Sequence, residues 1–181
     1  KQVPDTASQL KISEDNKTIE DNGIKYEINP FDEYALEEAL RLKDKDNTIN
    51  ITVISLGPER VKKALTKTLA MGADEAIHLQ TDNSINDCMT IANIITNEIK
   101  KKQYDLILFG KKSVDQDNNQ VGMIIGEING IPCISNCSEF VIEDNKIVAN
   151  REVEGSVEVF EGEFPVIITH EKGKNELRYP S

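Results

Sequence analysis

The chain has 181 residues, 32 of them acidic and 21 basic, giving a net charge of −11. A surface this negative repels phosphate backbones and anionic lipid, which sets aside nucleic-acid binding and membrane-surface attachment. No apolar run reaches the roughly 20 residues of a membrane span, and no signal peptide opens the chain, so a soluble intracellular protein without membrane insertion is expected. Its 3 cysteines are an odd count, which suits a reducing compartment better than a disulfide framework. Cys133 and Cys137 stand four apart with no His or further Cys near them, so no metal centre is expected. His78 and His170 fall at strand ends without a triad partner and are read as structural.

Weak alternation over residues 11–27, around Asn22-Gly23, predicts a small hairpin. Asn29-Pro30 opens a helix over 32–45, with Leu36, Ala39, Leu40 and Leu42 on one face. Ile51–Leu56 is a continuous apolar run that suits a strand buried on both sides. Gly57-Pro58 breaks it, and Val61, Ala64, Leu65, Thr68 and Leu69 recur at helical spacing up to Gly72. Ala76–Leu79 is a second strand, and Ile85, Met89, Ala92, Ile95 and Ile99 mark a third helix. Tyr104–Phe109 is the third strand. A polar loop from Gly110 to Asn118 then feeds a helix with Val121, Ile124, Ile125 and Ile128 inward, before a fourth strand, Ile131–Ser135.

After residue 138 the rhythm changes to Phe140–Ile142, Ile147–Asn150, Ser156–Phe160 and Val166–Thr169, short strands separated by turns such as Asp144-Asn145. The expected fold is therefore α/β: a three-layer, Rossmann-like parallel sheet with helices on both faces and an antiparallel hairpin extension. The expected division is one nucleotide-binding domain over 1–181, with a parallel core over 1–137, a β-hairpin region over 138–170 and a terminal segment over 171–181. Lys1–Pro4 reads as the loop leaving an earlier strand, which would lie beside Ile51–Leu56 and Tyr104–Phe109; both flanks are expected to be missing.

Ligands of open parallel sheets bind outside the carboxyl ends of the strands. Three segments fall there: Asn29–Asp32, Leu56-Gly57-Pro58 and Gly110–Gly122. The last ends at a helix N-terminus near Asn119–Val121, where free N–H groups and the helix dipole suit a phosphate. Asn118, Asn119 and Gln120 add amides and Lys111 and Lys112 add charge, whereas Asp115 and Asp117 suit a turn or a ribose hydroxyl. Ordinary Asx capping explains the same pattern without a ligand. Neither a Walker A motif nor G-x-G-x-x-G is present, and no nucleophile–base pair or carboxylate dyad emerges, so enzyme activity is not expected.

The same segments, in order, resemble the electron transfer flavoprotein β subunit family. The resemblance rests on Lys1-Gln2-Val3-Pro4-Asp5-Thr6, Asn29-Pro30-Phe31-Asp32 with Ala35–Lys43, Leu56-Gly57-Pro58, Ala70–Asp74, Gly110–Gly122 and Asn175–Tyr179. It implies a heterodimer with an α subunit that holds most of the FAD site. The pair would take electrons from acyl-CoA and related dehydrogenases and pass them to a quinone oxidoreductase, with a structural AMP in this subunit. Carried over by position, the AMP contacts are Asn29, Pro30, Phe31, Asp32, Leu56, Gly110, Lys111, Lys112, Ser113, Val114, Asp115, Gln116, Asp117, Asn118, Asn119, Gln120 and Val121. Asn119 and Gln120 would lie nearest the phosphate, and residues 171–181 would begin the segment leading to a partner-recognition loop.

Val121 departs from the family, whose members often have Thr there. A bifurcating branch binds a second FAD in place of AMP, with a loop reading D-G-D-T-A-Q-V-G. Gln116 and Asn118 bring this chain closer to the AMP form, while Val121-Gly122 and the opening residues are shared with the bifurcating form. A stand-alone adenine-nucleotide-binding stress-type module and a hydrolase of the related superfamily share the fold logic. The resemblance places the protein in the cytoplasm of a bacterium or the mitochondrial matrix of a eukaryote.

Overall fold

The structure, a computed structural model, describes residues 1–14, 16–20, 22–81, 87–173 and 176–179. In chain order the elements are β1 (Gln2–Pro4), β2 (Tyr26–Ile28), α1 (Pro30–Lys45), β3 (Thr52–Gly57), α2 (Val61–Met71), β4 (Glu75–Gln80), α3 (Cys88–Ile99), β5 (Leu106–Gly110), α4 (Val121–Asn129), β6 (Cys133–Cys137), β7 (Glu139–Glu143), β8 (Lys146–Val153), β9 (Ser156–Glu163) and β10 (Val166–His170).

Each helix has a local cause. Pro30 opens α1, Asp32 and Glu33 fill its first turn, and Lys43 and Lys45 its last, matching the dipole at both ends. Gly72 (φ 121°) closes α2 and Gly130 (φ 65°) closes α4, conformations a side chain resists. Asp87 caps α3 by accepting from the Thr90 amide at 2.7 Å.

The parallel sheet comes in two pieces, β3-β4 and β5-β10-β6. Side chains of β5 alternate between two cores: Ile107 and Phe109 join Ala92, Ile99 and Ile125 of α3 and α4 on one face. Leu106 and Leu108 join Leu42 of α1 and the β7–β9 layer on the other. Ile54 of β3 enters the first of these cores, so both pieces share one helical layer. A third cluster packs Leu36 and Leu40 of α1 on Ile51, Met71 and Ala73. These layers bear out the α/β class. Among the described residues no strand pairs with the second edge of β3 or of β5, the two strands beside which the sequence places a further one. Among them, too, no helix is long and apolar enough to cross a membrane.

Two strand assignments are corrected. Val166–Thr169 is no antiparallel edge: β10 runs parallel between β5 and β6, with Ile168 opposite both Leu108 and Ile134. Every residue of β10 is buried, so a central place satisfies it on both faces and both edges. Gln2–Pro4 is a strand rather than a loop, pairing antiparallel with Tyr26–Ile28. The predicted small hairpin reduces to an Ile12–Ile19 bridge inside that larger ribbon. The guanidinium of Arg60 lies 3.9 Å from the centre of the Tyr26 ring, and its Nη1 donates to Gln2 Oε1, which ties the ribbon to α2.

The antiparallel extension is a separate sheet, β7-β8-β9. Asp144 and Asn145, both at positive φ, form the two-residue turn the sequence points to. Ile128, assigned inward, is exposed, and so are Leu69 and Met89 from the apolar patterns of the other two helices. They flank stripes whose buried members are Val61, Leu65, Thr68 and Met71 in α2, Cys88, Ala92, Thr96 and Ile99 in α3, and Ile125 with Gly122 and Gly126 in α4. Ile85, assigned to the third helix, lies outside the described residues. His78 falls within β4 rather than at its end, and its Nε2 donates to the Gly57 carbonyl at 2.9 Å. His170 does end β10; its Nδ1 donates to the Glu171 carbonyl, and its ring meets Phe140 edge-on.

The segment 176–179 is held to α1 by Arg178. Its Nε and Nη2 reach the two oxygens of buried Glu37, each at 3.0 Å, and Nη2 also reaches Asp44 at 2.7 Å. Losing one partner of a buried pair costs about 3–5 kcal/mol, and the part-exposed arginine puts this case near or below the lower figure. Arg178→Ala is therefore expected to destabilise by about 2–3 kcal/mol, and Asp44→Asn by much less. Urea unfolding of the variants checks the order.

Candidate functional site

The loop after β5 is built by the residues that open α1. Asn29, 1% exposed, is the N-cap residue of α1, yet its side chain caps nothing in its own helix. Instead Nδ2 donates to the Lys112 carbonyl at 2.8 Å and Oδ1 accepts from the Val114 amide at 3.1 Å. Asp32, in the first turn, accepts from the Gly110 amide at 2.9 Å. A Cβ on Gly110 would lie 2.6 Å from Asp32 Oδ1 and from the Phe31 carbonyl carbon, so the two segments touch through backbone. Pro30 sets the first turn of α1, and Lys111 and Lys112 each place Nζ 5.9 Å from the Phe31 ring centre.

The structure thus brings Asn29–Asp32 and the loop 110–121 together. Leu56 lies on the other parallel piece, half-buried and paired with Leu79. Both loop lysines are already neutralised, Lys111 by Glu171 and Lys112 by Asp117 at 2.5 Å. Lys1 reaches across with Nζ 3.3 Å from Ser113 Oγ, 2.8 Å from Asp115 Oδ2 and 3.0 Å from Gln116 Oε1. Burial acts to raise the Asp115 pKa, but the Lys1 ammonium and the Ser113 hydroxyl outweigh it and hold the carboxyl below its ordinary 3.8.

Further along, Asp117 (φ 57°) and Asn119 (φ 48°) both take the left-handed conformation, which Asx side chains tolerate best. Asn118 Nδ2 lies 3.4 Å from Cys88 Sγ. Asn119 Nδ2 donates to Asn136 Oδ1 at 3.0 Å, leaving Asn119 Oδ1 buried with no partner. Asn136, also left-handed at φ 54°, donates its amide to Thr169 Oγ1 at 2.9 Å. Gln120 precedes α4 without capping it, so the first-turn N–H groups from Val121 onward receive no side-chain cap. Gly122 and Gly126 let α4 lie close to the sheet: a Cβ on Gly122 would come within 2.9 Å of Thr169 Cγ2, and one on Gly126 within 2.9 Å of the Ile131 carbonyl. That fixes where the end of α4 points.

Sequence reasoning missed Asn136, Thr169 and Lys1 as parts of this site. An Asn near the carboxyl end of a strand was the available signal for the first. Cys137 Sγ donates to the Glu139 carbonyl at 3.1 Å, and burial raises the thiols of Cys133 and Cys137 to about 11.

The class is that of an α/β domain with a parallel sheet, and at the carboxyl end of that sheet lie an acceptor without a donor, a helix N-terminus without a side-chain cap and a clamped loop. The family model described as the electron transfer flavoprotein domain matches residues 16–180. Electron transfer flavoprotein subunit beta of Megasphaera elsdenii is 40% identical over 190 residues, covering 100% of this chain and 70% of that protein. The Bacillus subtilis subunit beta is 36% identical over 176 residues, covering 96% and 68%. The mitochondrial subunit beta of Arabidopsis thaliana is 37% identical over 183 residues, covering 100% and 72%. The chain belongs to the electron transfer flavoprotein beta-subunit family, whose members here come from bacteria and from a mitochondrion.

Asn29→Ala removes two part-buried hydrogen bonds, to the Lys112 carbonyl and from the Val114 amide, at about 0.5–1.5 kcal/mol each. The Val114 amide is expected to exchange up to about tenfold faster in the variant, read by hydrogen exchange. The lowered pKa of Asp115 means its ion pair contributes stability above pH 3.8 and loses it as pH falls through the lowered value. A carboxyl titration by NMR should place the Asp115 midpoint below 3.8, rising in Lys1→Ala.

Proposed function

We propose that this chain is the AMP-holding electron-carrier subunit of a heterodimer whose α subunit holds most of the FAD. In this reading the pair accepts electrons from acyl-CoA and related dehydrogenases and delivers them to a quinone oxidoreductase. The flavin supplies the redox chemistry when bound, and this chain supplies no catalytic group. Family membership supports the electron-carrier role. The observation that carries the AMP assignment is the orphaned Asn119 Oδ1 beside the uncapped N-terminus of α4.

The donor set fits a nucleotide. The α4 N–H groups suit the phosphate, because they offer donors and a positive dipole end with no competing cap. Asn119 takes a different part from the one its position suggests. Its Nδ2 is engaged by Asn136, so the atom left over is an acceptor, which suits a ribose hydroxyl or an adenine amino group. Lys111 and Lys112 bind their own carboxylates and add little net charge for a phosphate. Asn29, Pro30, Phe31 and Asp32 act by holding the loop in shape rather than as direct contacts.

Acid extraction of the intact heterodimer is expected to release about one AMP and one FAD; two flavins and no AMP would assign the site to a second FAD instead. Asn119→Leu removes a neutral hydrogen bond of roughly 0.5–1.5 kcal/mol, so AMP retention should fall by up to about tenfold. Heterodimer melting should fall with it, because a ligand of the folded form stabilises by mass action. Unchanged AMP content and melting temperature would count against Asn119 as a contact.

A further inference from the structure

Asn136 stands outside the loop that leads into α4, yet it decides which group that loop leaves for a ligand. It is next to last in β6, half-buried and left-handed, where the pairing of β6 with β10 loses its register. Asparagine, aspartate and glycine hold that backbone conformation at least cost. Its amide donates to Thr169 Oγ1 at 2.9 Å, and Thr169 is itself buried in the central strand. From this anchored backbone the side chain reaches the loop, where Oδ1 accepts from Asn119 Nδ2 at 3.0 Å.

A carboxamide has two unlike ends, and the end left over decides what a ligand must offer. With Nδ2 spent on Asn136, Asn119 keeps Oδ1, a buried acceptor without a donor. Turned half-way round, the same side chain would offer N–H donors instead. An acceptor at Asn136 admits the NH2 end of Asn119 and repels its oxygen, so Asn136 sets the sense.

We propose that Asn136 is a positioning residue for nucleotide selectivity, holding the Asn119 amide so that its oxygen is left to accept from a ribose hydroxyl. The inference rests on the AMP reading above and names the part of the nucleotide recognised at this end of the loop. Asn119 lies two residues before Val121, where α4 begins and its free N–H groups suit the phosphate. The ribose is bonded directly to that phosphate, whereas the adenine amino group lies at the far end of the nucleotide. The hydroxyl is the donor within reach.

The test uses the heterodimer, freed of nucleotide and reloaded with AMP, 2′-deoxy-AMP, 3′-deoxy-AMP or IMP. The wild type is expected to hold AMP about threefold to tenfold tighter than one of the deoxy analogues, the range for one neutral hydrogen bond. Asn136→Gly keeps the left-handed backbone and the amide to Thr169 but releases Asn119. There the preference over the deoxy analogue should fall below about twofold, while the ratio of AMP to IMP, which reports the amino group, stays as in the wild type. Asn136→Asp can only accept, so it permits this sense of the Asn119 amide alone. Its charge weakens every phosphate alike, and the preference should persist. Each ratio is taken within one variant, so a general loss of stability does not move it.

A preference unchanged in Asn136→Gly overturns the proposal, as does one that is lost in Asn136→Asp. A change confined to the IMP ratio overturns it too, because the donor is then the amino group. A wild type that binds AMP without preferring it to either deoxy analogue defeats the positioning role and leaves the AMP reading standing. A wild type that binds no AMP defeats that reading, and the proposal with it.

Discussion

A strand buried on both faces and hydrogen-bonded on both edges constrains everything around it, and β10 is that strand. Ile167 faces α3 and α4, while Val166 and Ile168 face the antiparallel layer, so both cores close on it. Its edges hold β5 and β6 in register; β5 carries the loop leading to α4, and Asn136 sits at the irregular end of β6. Thr169, near its end, accepts from the Asn136 amide and limits how close α4 can come. The candidate site is therefore positioned from beneath by residues that make no claim on a ligand.

Above that floor, the loop is organised by unlike means at its two ends. The opening of α1 clamps its first half through Asn29 and Asp32, so the residues that begin a helix hold a loop some eighty positions away. The second half is shaped by left-handed Asp117 and Asn119, conformations held in place by the surrounding contacts. The clamped half spends its charges internally, in Lys112 with Asp117 and Lys1 with Asp115. Near α4, Asn119 Oδ1 is left with capacity to spare. A ligand at that end would meet shape and hydrogen-bonding groups rather than net charge.

Most elements were legible in the sequence because they depend on local signals. Pro30, Gly72 and Asp144-Asn145 each act within a turn or two of themselves, and each does in the structure what its chemistry predicts. The fate of Val166–Thr169 was not legible. A short apolar run reads alike as an edge strand of a hairpin or as the centre of a parallel sheet, and only distant partners decide between them. Ile128 misled for a related reason: periodicity marks an apolar flank without saying how wide the facing surface is. In the site, the loop was found from its polarity and its place before a helix. Asn136 and Lys1 were not, because they arrive from other elements through tertiary contact.

The buried thiols carry one more implication. A thiol with a pKa near 11, as for Cys133 and Cys137, is ionised to only about one part in ten thousand at neutral pH, and the thiolate is the form that reacts. Oxidants and alkylating reagents therefore meet almost no nucleophile in this part of the core. These sulfurs serve as packing atoms, Cys137 in the cluster under the antiparallel layer and Cys133 against the one around α3 and α4.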